Sequence, residues 1–155
     1  MTVPNPVDPQ LLWDHLQLRN LYAQYCFGLD YHDDAELLDC FEPNGTFSLS
    51  DRGDFTGHDA IQAILDASAS TRNRHHIMNI IIDEVDGDTA RCRAYFILMR
   101  PDDAAIISWG HYRDEAMRCA DGRWRWRRKR VEFDWRSEDY AKRSERQTAE
   151  TLLDD

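Results

Sequence analysis

Residues 75–99 read HHIMNIIIDEVDGDTARCRAYFILM. Two runs rich in Ile, Val, Tyr and Phe flank Asp86-Gly87, and Asp-Gly between such runs is a strong hairpin signal. Residues 105–135, AIISWGHYRDEAMRCADGRWRWRRKRVEFDW, repeat the design around Asp121-Gly122. Two long hairpins in succession predict an antiparallel sheet. If Val85 pairs with Asp88, His75 falls opposite Leu98 and Asn79 opposite Ala94. One face then carries His75, Ile77, Asn79, Ala94, Phe96 and Leu98. The other carries His76, Met78, Ile80, Ile82, Arg93 and Tyr95. Both faces are largely apolar, so both need cover.

The segments upstream supply cover for one face. In LLWDHLQLRNLYAQYCFGLD (11–30), Leu11, Leu18, Tyr22, Cys26 and Leu29 recur at helical spacing. DDAELLDCF (33–41) reads as a short second helix with acids in its first turn and Pro43 beyond its end. GTFSLS (45–50) alternates like a strand. TGHDAIQAILDAS (56–68) reads as a third helix with Thr56 as a possible cap. Helices segregated from an antiparallel sheet mean an α+β fold. The three helices cover one face; a second copy of the chain is the simplest cover for the other, through Met78, Ile80, Ile82 and Tyr95. SEDYAKRSERQTAETLL (137–153) reads as a polar C-terminal helix. The whole chain, 1–155, is expected to form one domain, with its core over about 10–135 and residues 136–155 as a helical extension.

Bulk properties narrow the function. The chain has 155 residues and a formal net charge of -10, which disfavours nucleic acid and anionic membranes as partners. RWRWRRKR (123–130) interleaves basic and aromatic residues, but their alternation fits a half-buried strand better than a nucleic-acid groove. No run approaches the roughly 18 apolar residues of a membrane span, and MTVPNPVDPQ has no apolar targeting core, so a cytoplasmic protein is expected. The four cysteines form no CxxC pair and read as reduced, packed thiols. No phosphate loop, dinucleotide fingerprint or GxSxG is present.

The order of elements resembles the nuclear transport factor 2-like superfamily, specifically its polyketide-cyclase-like (SnoaL-like) branch. Its carriers are YCFGLDYHDDAELLDCFEPNGTF, FTGHDAI, HHIMN, DGDTARCRAYF and GHYRDEAMRCADGRWRW. The resemblance implies a cystatin-like cone: a curved antiparallel sheet wrapped by three N-terminal helices. Scytalone dehydratase, bile-acid 7α-dehydratase and hexachlorocyclohexane dehydrochlorinase share an aspartate near the end of the first helix and a histidine opening the first long strand. Asp30 and His75 occupy those places. The bile-acid enzyme's tyrosine, five residues before its aspartate, is matched by Tyr25, and the family's asparagine four residues after the histidine by Asn79. The dehydrochlorinase's late arginine falls at Lys129, with Arg128 and Arg130 beside it. The serine and asparagine of scytalone dehydratase align with His111 and Arg113, so the groups that read the substrate do not carry over.

The chemistry of Asp30 and His75 stands without the resemblance. A carboxylate inside an apolar cone is costly to ionise alone, and an imidazole beside it relieves that cost. The carboxylate in turn fixes the ring's tautomer and leaves the far nitrogen as a base. His76 points the other way. The expected catalytic set is therefore His75, Asp30 and Tyr25. If Ala120 pairs with Arg123, His111 falls opposite Glu132, and Trp109, His111, Arg113, Trp124, Trp126 and Arg128 share a face. If that face is concave, it lines a pocket; a bulge would exchange some of them. The expected substrate-binding set is Asn79, Phe47, Phe96, Trp109, His111, Trp126, Arg128 and Lys129. A metal held by His75, His111 and Asp30 is weighed and set aside, because no HxH or HExxH spacing supports it. No cofactor is expected. The leading expectation is a cofactor-independent lyase, dehydratase- or dehydrohalogenase-like, acting on a small hydrophobic cyclic or aromatic substrate. An isomerase or cyclase using the same base, and a non-catalytic hydrophobic-ligand-binding or dimeric subunit module, are the alternatives.

Overall fold

The protein is described by a computed structural model over residues 8–68 and 72–142. Most of the proline-rich arm and the expected C-terminal helix beyond residue 142 lie outside the described residues; 138–142 are helical.

Asp8 accepts a hydrogen bond from the Gln10 N–H at 2.9 Å and caps helix α1 (Pro9–Tyr31). Pro9 sits in the first turn, where its missing N–H costs nothing. The helix buries Leu18, Leu21, Tyr22 and Tyr25, a stripe at i, i+3, i+4 and i+7. His32 ends it in the left-handed region (φ 57°). Helix α2 (Asp34–Asp39), capped by Asp33, then crosses α1 at Gly28. A Cβ at that glycine would stand 2.9 Å from Leu37 Cβ, so the crossing needs a glycine.

Strands β1 (Phe41–Leu49) and β2 (Gly53–Thr56), helix α3 (His58–Ser68), and strands β3 (Arg74–Asp86), β4 (Thr89–Arg100), β5 (Ala105–Arg118) and β6 (Trp124–Arg136) follow. They form one curved six-stranded sheet in the order β2-β1-β6-β5-β4-β3. All pairings are antiparallel except β1 with β6, which is parallel. The α+β architecture matches the expected one in its helices and both hairpins. It departs in β2, four residues too short to show alternation, and in β1, which starts at Phe41 despite Pro43. The proline is tolerated because the β1–β6 register is interrupted between Phe41 and Thr46.

Two bulges correct the expected facing of β3. The turn pairs Asp86 with Thr89, two residues out of the register read from sequence. Register shifts between Met78 and Ile81, and between Ile82 and Glu84, absorb the difference, so His75 still pairs with Leu98. Asn79 falls in the first irregularity with φ 54° and is exposed, not beside His75. Ile80 and Ile82 turn inward and pack on the core, while Ile81 joins Met78 and Tyr95 outside.

A further shift between Glu115 and Ala116 does the same to β6. Trp124 and Trp126 face inward, Arg127 takes up the extra position, and Lys129 and Val131 face inward after it. Ala90, Cys92, Ala94, Phe96 and Leu98 of β4 and Ser108, Tyr112, Asp114 and Ala116 of β5 complete the buried face, with α1 across it.

Candidate active site

Asp30 lies one residue before the end of α1, where the helix dipole disfavours a carboxylate. Three contacts offset that cost. His75, second in β3, donates its backbone N–H to Asp30 Oδ2 at 2.9 Å. Its ring donates Nδ1–H to Asp30 Oδ1 at 2.6 Å, the short distance of a charge-assisted bond. Arg74 donates to the Asp30 backbone carbonyl at 2.9 Å and stacks its guanidinium over Tyr31, placing a cation at the helix C-terminus. The carboxylate side chain is 8% exposed and the imidazole 20%. With Nδ1 engaged, Nε2 is the nitrogen left for another partner.

The imidazole lines a cavity of about 120 Å3 together with Asp30, Tyr25 and Tyr112. Phe47, Phe96, Leu98, Ile64, Leu65, Val131 and Phe133 supply apolar wall, and Arg52, His32, Asp34, Asn73 and Tyr140 supply polar edge. Burial holds the Tyr25 and Tyr112 phenols well above their ordinary pKa, so both stay protonated as hydrogen-bond donors.

Behind Tyr25 and Tyr112 the cone is filled. Lys129 is fully buried, its Nζ 2.9 Å from Asp114 Oδ2. The ammonium also lies 3.7 Å from the Tyr112 ring centroid, 4.4 Å from Tyr25, 4.6 Å from Tyr22 and 4.7 Å from Trp126. Asp114 Oδ1 accepts the Arg130 N–H at 2.9 Å. Burial pushes the Asp114 carboxyl up and the Lys129 amine down, while their mutual attraction works the other way.

Of the residues expected from sequence, His75, Asp30, Tyr25, Phe47 and Phe96 come together around the cavity. Trp126 and Lys129 lie sealed behind it. Asn79, Trp109, His111 and Arg128 do not line it: bulges turn Asn79 and Arg128 to the outer face, and Trp109 and His111 alternate with the buried Gly110 and Tyr112 of β5, so the face they share is the outer one. There His111 lies between Asp134 and Glu132, Trp109 stacks on Trp135, and Arg128 pairs with Asp54. The same facing separates His111 from His75 and Asp30 and dismantles the metal set weighed from sequence. Among the described residues, no group of three or more His, Cys, Asp or Glu side chains is arranged to hold a metal ion. Sequence reasoning missed Arg52, Arg74 and Asp114. Asp114 shares a face of β5 with Tyr112 and Ala116, opposite to the one read from sequence as pocket-lining, and so it was passed over. Nothing in SDRGD (50–54) marked Arg52 as more than a turn residue.

A family model described as a SnoaL-like domain matches residues 10–130. No curated protein matches the chain. Among solved structures, a function-unknown protein from Mycobacterium tuberculosis is 28% identical, with a TM-score of 0.76 over 90% of this chain and 82% of that one. A candidate aromatic ring hydroxylase from Novosphingobium aromaticivorans is 26% identical, with a TM-score of 0.74 over 84% of this chain and 97% of that one. The hexachlorocyclohexane dehydrochlorinase LinA-type3 from Novosphingobium barchaimii is 14% identical, with a TM-score of 0.70 over 82% of this chain and 90% of that one, a likeness of fold alone.

Proposed function

The chain belongs to the SnoaL-like domain family, and from that premise we propose that it is a lyase in which the Asp30–His75 pair acts as general base on a small cyclic substrate. The observation that carries this reading is the 2.6 Å Nδ1–Oδ1 bond of a pair whose imidazole lines a cavity. Asp30 orients the ring and stabilises the imidazolium that forms when Nε2 takes a proton. Such a positioned base contributes about 10²–10⁴ in rate.

The elimination is balanced without a redox partner. Nε2 removes a proton from a ring carbon next to an activating carbonyl. The C–H electron pair becomes the new C=C bond, and the leaving group departs from the neighbouring carbon with its own pair. A halide leaves as the anion; a hydroxyl takes the proton back from the imidazolium and leaves as water. In this reading the Tyr25 phenol donates a hydrogen bond to the carbonyl or leaving oxygen. The cavity, at about 120 Å3, is somewhat smaller than an apolar cavity of about 150 Å3 that takes benzene, so its enclosed part holds no more than a single ring.

The test is proton NMR of reaction mixtures with a panel of monocyclic β-hydroxy and β-halo ketones, run with the parent and with His75→Gln. Olefin signals and loss of water or halide that depend on His75 are expected. Conversion without loss of a group would move the reading to an isomerase or cyclase with the same base. Identical behaviour of parent and variant would remove the base.

A further inference from the structure

We propose that Tyr112 joins Tyr25 in a two-donor site that holds one acceptor oxygen of the ligand, the carbonyl of a cyclic ketone; this rests on the base reading of His75 and fixes which oxygen the phenols take. Tyr25 comes from the inner stripe of α1 and Tyr112 from the buried face of β5, and both line the cavity. Their ring centroids are 6.2 Å apart, with the planes at 83°. The two residues are 2% and 1% exposed.

No hydrogen bond to either hydroxyl is formed among the described residues. A buried hydroxyl without a partner is costly, and the cavity is the place from which a partner can reach both. The flanks are apolar: Phe47 stands 6.3 Å from Tyr25 and Phe96 4.9 Å from Tyr112 between centroids. Tyr22, the third tyrosine beside Lys129, does not line the cavity.

The chemistry of the two phenols selects what they hold. Burial keeps both protonated, so each offers a proton. An ammonium or amide nitrogen would set donor against donor, whereas a carbonyl oxygen has two lone pairs and accepts from both. The Tyr25 and His75 rings meet edge to face at 6.5 Å, so an oxygen at the phenols leaves its neighbouring ring carbon on the His75 side. When Nε2 takes the proton from that carbon, the C–H pair forms the enolate C=C and the carbonyl pair moves onto the oxygen. The two hydrogen bonds strengthen as that charge develops. Return of the pair re-forms the carbonyl, shifts the double bond to the neighbouring carbon and expels the leaving group with its own electrons.

Cyclohexanone and methylenecyclohexane share a ring and differ in the acceptor oxygen, so their titration against the parent, Tyr25→Phe, Tyr112→Phe and Tyr22→Phe tests the site. Infrared spectra of the bound ketone report on its carbonyl directly. In the parent the carbonyl stretch should lie below its value in hexane. Tyr25→Phe and Tyr112→Phe, which keep the rings, should each return part of that shift and cut the ketone-to-olefin affinity ratio about tenfold. Tyr22→Phe, which removes a hydroxyl away from the cavity, should change neither. Thermal melts verify that the variants are folded. No cyclohexanone binding to the parent, a ratio and stretch untouched in folded Tyr112→Phe, or equal losses in Tyr22→Phe would each overturn the proposal. The base reading fails separately: if the parent has no His75-dependent turnover while His75→Gln keeps the ratio and the stretch, the oxygen site stands and the lyase falls.

Discussion

Two acid–base pairs flank the ring of Tyr25. On one side, the Tyr25 and His75 rings stand 6.5 Å apart, and His75 is bonded to Asp30. On the other, Lys129 Nζ lies 4.4 Å from the Tyr25 ring and is bonded to Asp114. Both pairs couple an aspartate to a basic side chain within 3 Å. They differ in what surrounds them. Lys129 and Asp114 are sealed, with aromatic rings on several sides of the ammonium. His75 keeps one nitrogen for a cavity and a fifth of its surface for solvent. Proton transfer needs an exit, so the open pair has the means for chemistry, and the sealed pair can only hold or strain the fold.

The largest expected effect lies at the sealed pair. Removing one partner of a buried ion pair costs about 3–5 kcal/mol, whereas replacing both with apolar groups is often neutral or stabilising. Lys129→Met should therefore destabilise strongly in urea titrations, and adding Asp114→Leu should recover most of the loss. The pH dependence follows from burial, which already raises the Asp114 carboxyl. A carboxyl whose folded value is raised loses stability as pH rises through that value. Lys129→Met should thus be less stable at pH 8 than at pH 5, and a flat profile would mean that Asp114 is not the buried charge.

At the open pair the expected effect is on rate. His75→Ala should lose about 10²–10⁴ in turnover. His76→Ala, one residue on and exposed, should keep it. Equal losses in both, with both proteins folded, would break the distinction.

The outer sheet face sharpens the comparison from a third side. Met78, Ile81, Tyr95, Trp109 and Trp135 are exposed there, beside the acidic partners of His111. We read this face as the contact with a second copy of the chain. Light scattering should report a dimer for the parent and a weaker one for Tyr95→Glu, with the Asp30–His75 chemistry intact; a monomeric parent at micromolar concentration would discard the contact.

The smallest effect is at the thiols. Burial pushes Cys26, Cys40 and Cys92 up to about 12, so iodoacetamide should label them slowly at neutral pH until the protein is unfolded, as mass spectrometry would record.

The sequence displayed the open pair and hid the surroundings that separate it from the sealed one. Helical spacing placed Asp30 at the end of α1, and the Asp-Gly turns placed His75 opposite Leu98. That pairing was reached from a turn register two residues off, which the two bulges of β3 cancel. Period-two alternation cannot foresee such shifts, because one extra residue reverses every side chain beyond it. Asn79, Ile80 and Ile82 were misfaced for this reason, and the Arg127 bulge took Arg128 outward while sending Lys129 in. Lys129 was legible as a residue of interest, but its partner Asp114 and its cage of rings depend on contacts between distant segments. Arg52 gave no local signal, since a hairpin-tip arginine that folds back reads like one that does not.

Asp30→Asn puts the central claim to its most direct test, since the amide keeps the shape of the carboxylate and removes its charge. Turnover on a converted substrate, substrate affinity and the melting temperature are to be measured side by side with the parent. An aspartate that serves His75 as a base predicts a fall in turnover of about 10²–10⁴, with affinity and melting temperature nearly unchanged. Near-native turnover accompanied by a marked loss of stability would contradict it and make the Asp30–His75 pair a structural clasp between α1 and β3.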